Sequence, residues 1–232
     1  MSNIILFHGS DHVIKHPELK LGKLNNDYGQ GFYCTKSVEM AREWACKENR
    51  DGFVNEYELD MSDLKVLNLL DGKHHILNWI AILLQNRKFA LKNEIAVDAR
   101  DYIVQDYGLD VSEYDVVIGY RADDSYFSYA ESFVENGLPL RCLNDALRLG
   151  KLGEQMVLVS EKAFERVTFI SASPVDKTIY YPKFTARDTE ARETYRNEIR
   201  KSRSYRDDLF VLDILREELR NDDPRIQRIV SE

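Results

Sequence analysis

The chain has 232 residues, 44% of them hydrophobic, and a formal net charge of −8 from 32 Lys plus Arg against 40 Asp plus Glu. That length buries a sizeable core and suits one large domain, or one domain with an appendage. Plentiful apolar residues and few Gly and Pro exclude a collagen-like or wholly disordered chain, and the acidic balance argues against bulk coating of nucleic acid.

In chain order, Ile4 to Phe7 is a short β-branched and aromatic strand that runs into a turn at His8-Gly9-Ser10. Asp11 to Asp27 is polar, contains Pro17 and reads as a loop. Tyr28 to Thr35 has two glycines one residue apart, which permits a tight turn before an aromatic strand. Thr35 or Ser37 then caps a helix that runs on to Cys46. Strands are expected at Asn55 to Asp60 and Lys65 to Leu70. Dense apolar spacing predicts a largely buried helix over His74 to Phe89. A second helix is predicted over Glu94 to Tyr107, with Gly108 as its stop. Asp115 to Gly119 is a short buried strand. Tyr126 to Asn136 and Asn144 to Leu149 are expected to be helices, and Gln155 to Ser160 and Val167 to Ser171 strands. Short strands separated by helices and long loops indicate an α+β fold.

The composition changes after Pro182. Ala186 to Arg206 has seven Lys or Arg against four acids, and Asp207 to Asp223 has seven acids against two Arg. A helical C-terminal extension is therefore expected to start near residue 186. Arg192, Arg196 and Arg200 lie along one helical stripe, and Leu209, Leu212, Leu215 and Leu219 form an apolar face. This segment is either a solvated helix docked by its leucines or a basic platform for a nucleic-acid or protein partner.

Most familiar chemistries have little support. Ile76 to Leu84, the longest apolar stretch, is about half a membrane span, and no signal peptide is visible at the N-terminus. Cys34, Cys46 and Cys142 are too scattered for a disulfide framework or a zinc site, so a reducing, cytoplasmic home is expected. His74 and His75 are adjacent, and nothing stands at HExxH or CxxC spacing, so no metal is expected. There is no GxSxG and no GxxxxGK[ST], and GQG alone is not a dinucleotide fingerprint.

One ordered set of segments remains. His8-Gly9-Ser10 ends the first strand. Tyr28-Gly29-Gln30-Gly31-Phe32-Tyr33 leads into a helix carrying Trp44, and Glu154-Gln155 opens a late strand. This order resembles the ADP-ribosyltransferase superfamily, in the H-Y-E branch of diphtheria-toxin-like enzymes and poly(ADP-ribose) polymerases. There the first strand carries H-G-[ST], the second G-x-G-[IF]-Y, and a late strand the catalytic acid. More closely, the chain resembles the bacterial domain of unknown function 3990 family. The shared blocks are the opening HGS, Pro17, D-[FY]-G-x-G-F-Y-x-T (Asp27 to Thr35), A-x-x-W-A (Ala41 to Ala45) and DVVIG-x-x-A-[DN]-D (Asp115 to Asp124). The resemblance covers roughly residues 4 to 171. It implies a split antiparallel β-sheet core of the ADP-ribosyltransferase kind with helical insertions, set here as residues 1–182, followed by a charged helical extension, residues 183–232.

The resemblance also implies roles. NAD⁺ would be the co-substrate. His8 matches the histidine that hydrogen-bonds the adenosine ribose, and either tautomer supplies a donor. Gly9 matches the glycine whose main chain approaches the nicotinamide carboxamide, where a side chain would block that approach. Tyr33 matches the tyrosine that stacks on the nicotinamide ring, and Trp44 falls where a second aromatic wall stands. Ser10, Gly31 and Asp123 complete the expected binding set. Tyr33 and Trp44 also read as ordinary core aromatics, and His8 as a turn residue.

The family acid falls on Gln155, which carries no charge, with Glu154 next door. Neighbouring strand residues point to opposite faces, so only one enters the site. Three readings stay open: Gln155 inward with help from Asp124 or Asp123, Glu154 reaching in through a bulge, or a protein that only binds nucleotide. The resemblance implies a mono-ADP-ribosyltransferase acting on a protein or nucleic acid, in a bacterial toxin or defence setting, with an antitoxin or assembly partner. The alternatives are a catalytically impaired NAD- or ADP-ribose-binding module and an NAD⁺ glycohydrolase.

Overall fold

A computed structural model describes residues 3–122, 124–149, 153–201 and 208–231. In chain order its elements are β1 (Asn3–Ser10), β2 (Phe32–Cys34), α1 (Val38–Ala45), β3 (Gly52–Asp60), β4 (Val66–Asn68), α2 (Ile76–Asn86), α3 (Glu94–Tyr107), β5 (Val116–Tyr120), α4 (Asp124–Val134), α5 (Leu140–Leu149), β6 (Glu154–Leu158), α6 (Glu161–Glu165), β7 (Val167–Val175), α7 (Lys177–Lys201), α8 (Val211–Arg216) and α9 (Pro224–Ser231). The fold is mixed α+β with two sheets, ordered β1-β3-β7 and β2-β6-β5-β4. Among the described residues, no helix is long and apolar enough to cross a membrane.

Two compact units interleave along the chain. The first comprises Met1–Asn68, Val111–Gly119 and Gly153–Thr189, and the second Leu69–Asp110, Tyr120–Leu152 and Glu190–Glu232. In the first unit, alternation along β1 buries Leu6 completely while Ile5 stays 40% exposed. β1 pairs antiparallel with β3 so that His8 faces Asn55 and Gly9 faces Val54. β2 pairs antiparallel with β6, but β4 pairs with β5 in parallel, so the second sheet is mixed and not wholly antiparallel as expected. The sheets meet where Phe7 and Thr35 exchange two main-chain hydrogen bonds of 2.8 and 2.9 Å.

Helix α1 starts at Ser37, whose hydroxyl accepts from the Met40 N–H at 3.3 Å. Its Ala41 and Ala45 pack with Cys46, Val54 and Val175. The contact is main chain against main chain. A Cβ on Gly9 would lie 2.1 Å from the Ala41 carbonyl oxygen, and one on Gly52 would lie 2.2 Å from that of Ala45. Small residues on both sides thus set the depth at which α1 lies on β1 and β3.

In the second unit, α2 is buried from Ile76 through Leu84. His75 and Asn78 cap it reciprocally: Leu77 N–H donates to His75 Nδ1 and His75 N–H to Asn78 Oδ1. Helix α3 spans the expected residues, with Asn93 accepting from Ala96 N–H at 2.8 Å. The Tyr102 and Tyr107 hydroxyls both donate to the Leu219 carbonyl. Arg141 grips Asp208 through two bonds of 2.9 and 3.1 Å.

Two C-terminal details differ from the sequence pattern. Helix α7 begins at Lys177, ahead of residue 186, and Pro182 lies inside it. Asp176 caps the start by accepting from Thr178 N–H at 2.7 Å, and the composition change at Pro182 therefore falls within one element. The acidic segment is anchored by Leu209, Val211, Ile214 and Leu219, while Leu212 and Leu215 are only half-buried. Helix α8 stops at Arg216, so a continuous leucine stripe does not form. Arg192 and Arg196 are exposed on α7; the Arg200 side chain lies outside what is described.

Candidate active site

The first unit brings three of the motif segments onto adjoining strands. β1 carries His8, β2 carries Tyr33 and β6 carries Gln155, with β1 bridged to β2 and β2 laddered to β6. His8 Nδ1 lies 2.7 Å from the Tyr33 carbonyl oxygen. A carbonyl only accepts, so Nδ1 carries the hydrogen. The donor at Nδ1 is thereby used internally, which corrects the expectation that either tautomer would serve: in the neutral ring, Nε2 is an acceptor. Burial holds this imidazole below the usual histidine range, partly offset by the Tyr33 carbonyl. The ring stacks on Phe32 at 4.4 Å between centroids. Phe32 and Tyr33 are successive strand residues, so His8 meets Tyr33 through the main chain and not ring to ring.

The Tyr33 ring is fixed at its hydroxyl, which donates to the Gly29 carbonyl at 2.7 Å and accepts from the Tyr28 N–H at 3.0 Å. Gly29 sits at φ 76°, a left-handed conformation that favours glycine. The turn before β2 therefore shapes the site and not merely the strand entry. Gly31 serves packing instead. A Cβ there would lie 2.7 Å from both the Leu158 carbonyl oxygen and Val157 Cγ1, so its bare side admits strand β6.

The missing side chain of Gly9 makes room for helix α1. The main-chain groups of Gly9 lie on the β2 side of β1. Phe7 spends its N–H and C=O on Thr35, away from β3, and main-chain groups alternate sides along an antiparallel strand. The N–H and C=O of Gly9 therefore point to the same edge of β1, away from β3.

Strand alternation separates Glu154 from Gln155. Tyr33 faces Val157, which puts Gln155 on the face of Tyr33 and Glu154 on the other. Gln155 is 3% exposed and donates from Nε2 to Asp27 Oδ2 at 3.2 Å. Glu154 pairs with Lys36 at 3.1 Å, both half-exposed, and the three β2–β6 pairs, from Phe32–Leu158 to Cys34–Met156, run without a shift.

Asn55 belongs to no motif, yet it organises the end of β1. Fully buried, it donates to Ser10 Oγ at 2.9 Å and to the His12 carbonyl at 3.3 Å, and accepts from Ile14 N–H at 2.8 Å. Ser10 donates in turn to the His12 carbonyl at 2.6 Å, which commits its hydroxyl to the loop. In the sequence Asn55 is one of several polar residues of β3, beside Glu56 and Glu58, so nothing local singles it out. Trp44 is half-buried on α1. Asp123 lies outside the described residues; Asp124 opens α4 in the second unit, and its side chain is not described.

A strand-edge donor–acceptor pair, a fixed aromatic ring and a buried amide–carboxylate pair thus gather on one sheet junction. The family model of a protein of unknown function, DUF3990, matches residues 4–169, and the chain belongs to that family. No curated protein and no solved structure matches it.

Proposed function

We propose that the first unit binds NAD⁺ and acts as a mono-ADP-ribosyltransferase on a macromolecular acceptor. The feature that carries this reading is the main-chain pair of Gly9, which strand alternation puts on the edge of β1 away from β3, one residue beyond the His8–Tyr33 contact. A carboxamide both donates and accepts, and such a strand edge matches it on both counts. The placement of His8, Tyr33 and Gln155 on adjoining strands of the first unit supports the same reading.

The chemistry is a substitution at the ribose C1′. The bond from C1′ to nicotinamide nitrogen breaks, and its electron pair leaves with neutral nicotinamide. Positive charge spreads over C1′ and the ring oxygen. A lone pair of the acceptor then forms the new bond at C1′, and its proton passes to solvent. Tyr33 offers an aromatic face to the cationic pyridinium, worth about 1–2 kcal/mol when desolvated. His8 offers Nε2 as an acceptor for a ribose hydroxyl. Gln155 accepts a hydroxyl of the nicotinamide ribose.

A protein acceptor suits the net charge of −8, while exposed Arg192 and Arg196 favour a nucleic acid. A bacterial toxin or defence effector, with an antitoxin or assembly partner, is the setting the family resemblance suggests. The uncharged Gln155 favours a second reading, a module that binds NAD⁺ or ADP-ribose without turnover. The separating experiment incubates purified protein with labelled NAD⁺ and cell lysate. Label transfer that Tyr33→Ala and Gln155→Ala each abolish supports the transferase, and transfer surviving both changes overturns the site. NAD⁺ binding without nicotinamide release supports the module.

A further inference from the structure

Gln155 and Asp27 are 3% and 6% exposed and lie 128 residues apart, yet their side chains meet at 3.2 Å. Gln155 gives an amide hydrogen to the Asp27 carboxylate. That bond fixes the orientation of the amide, whose acceptor is Oε1. A bond to a charged group in a buried setting is stronger and more directional than one between neutral groups. Asp27 immediately precedes Tyr28 and Gly29, whose main chain holds the Tyr33 hydroxyl. One glycine-dependent turn therefore sets both the Tyr33 ring and the Gln155 amide, on one face of the β2–β6 pair.

We propose that Asp27 is a positioning residue that supplies, through the Gln155 amide, the negative charge that Gln155 itself lacks. This rests on the NAD⁺ reading above. Asp27 polarises the amide, Oε1 accepts a hydroxyl of the nicotinamide ribose, and the anionic pair stabilises the positive charge that develops at C1′. The carboxylate and the amide divide between two residues the work of one acid. No proton is transferred within the pair. The nicotinamide leaves with the bond's electrons, and the acceptor's proton goes to solvent.

The test exchanges the two groups. Nicotinamide release is measured for the full chain, for Asp27→Asn, for Gln155→Glu and for the double variant that carries both. Asp27→Asn keeps shape but removes charge. It should lower kcat about a hundredfold with little change in KM, the size expected when one preorganised electrostatic group is lost. The double variant restores one carboxylate and one amide in exchanged places, and should recover kcat to within about tenfold of the parent. Thermal unfolding of each variant separates lost catalysis from lost structure. A merely structural bond would move the melting temperature and leave kcat of the folded fraction unchanged, which overturns the proposal. If Asp27→Asn does not fold, the double variant decides: recovery supports the pair, and a folded but inactive protein overturns it. A parent that releases no nicotinamide overturns the transferase reading and this inference together. A parent that turns over beside an equally active Asp27→Asn overturns this inference alone.

Discussion

The imidazole of His8 donates from Nδ1 to the main-chain carbonyl of Tyr33 across 2.7 Å, fastening the first strand to the second beside the bridge of Phe7 with Thr35 that joins the two sheets. Burial keeps this histidine below its ordinary range, so the fold prefers it neutral. Above the unfolded value of 6.5, both states are neutral and this contribution is fully present. As pH falls below that value, the unfolded chain takes up a proton before the folded one does, and stability is lost towards the lower folded pKa. His75 is lowered mainly by burial and contributes in the same direction. His8→Asn, whose amide reaches the Nδ1 position, should therefore show a smaller acid-induced loss than the parent. Denaturant titrations at about pH 7.5 and about pH 5, on either side of the unfolded histidine pKa, measure it. Equal losses would contradict the assignment.

Gly9 and Gly52 should resist substitution because helix α1 lies against them. Ala at either position meets main chain at 2.1 to 2.2 Å, which only a shift of α1 can relieve. The expected cost is about 1–3 kcal/mol. Gly72 provides a contrast: it has open space but sits at φ 80°, so Ala there costs about 1–2 kcal/mol from backbone conformation alone. Equilibrium unfolding measures all three. Nicotinamide release should fall with Gly9→Ala and stay unchanged with Gly72→Ala.

Asn55→Ala removes the buried partner of Ser10, His12 and Ile14. Orphaned polar groups of this kind cost about 1–3 kcal/mol. Because the lost bonds hold the end of β1, NAD⁺ affinity should weaken together with stability, as calorimetric binding would show. Unchanged affinity in a destabilised protein would separate Asn55 from the site.

Glu154→Ala should do little. Its partner Lys36 is half-exposed, and such surface pairs contribute below about 1 kcal/mol. Gln155→Ala should abolish label transfer. The reverse order of effects would place the reacting face on the other side of β6.

Much of this architecture is legible in the sequence. The helix expected over Glu94 to Tyr107 with Gly108 as its stop is α3 to the residue, because stop signals are local. The α+β character follows from strand and helix patterns of ordinary length. What sequence spacing conceals is lateral. Asp27 reads as one more loop acid until β2 pairs with β6 and carries Gln155 to it. Asn55 sits in a strand without a motif, and its role arises only from facing His8 across the ladder. Gly9 is conspicuous in sequence, but the helix that requires it lies about thirty residues downstream, a separation that local pattern does not bridge. Pro182 looks like a boundary, yet α7 starts before it and runs through it.

The decisive measurement is the release of nicotinamide from NAD⁺ by the purified chain, followed by chromatography in the presence and absence of cell lysate, with mass spectrometry of the macromolecules recovered. Release that matches the ADP-ribose gained by a protein or nucleic acid, and that disappears with Tyr33→Ala, is the expected result. Intact NAD⁺, with neither release nor modified macromolecule, would contradict the transferase.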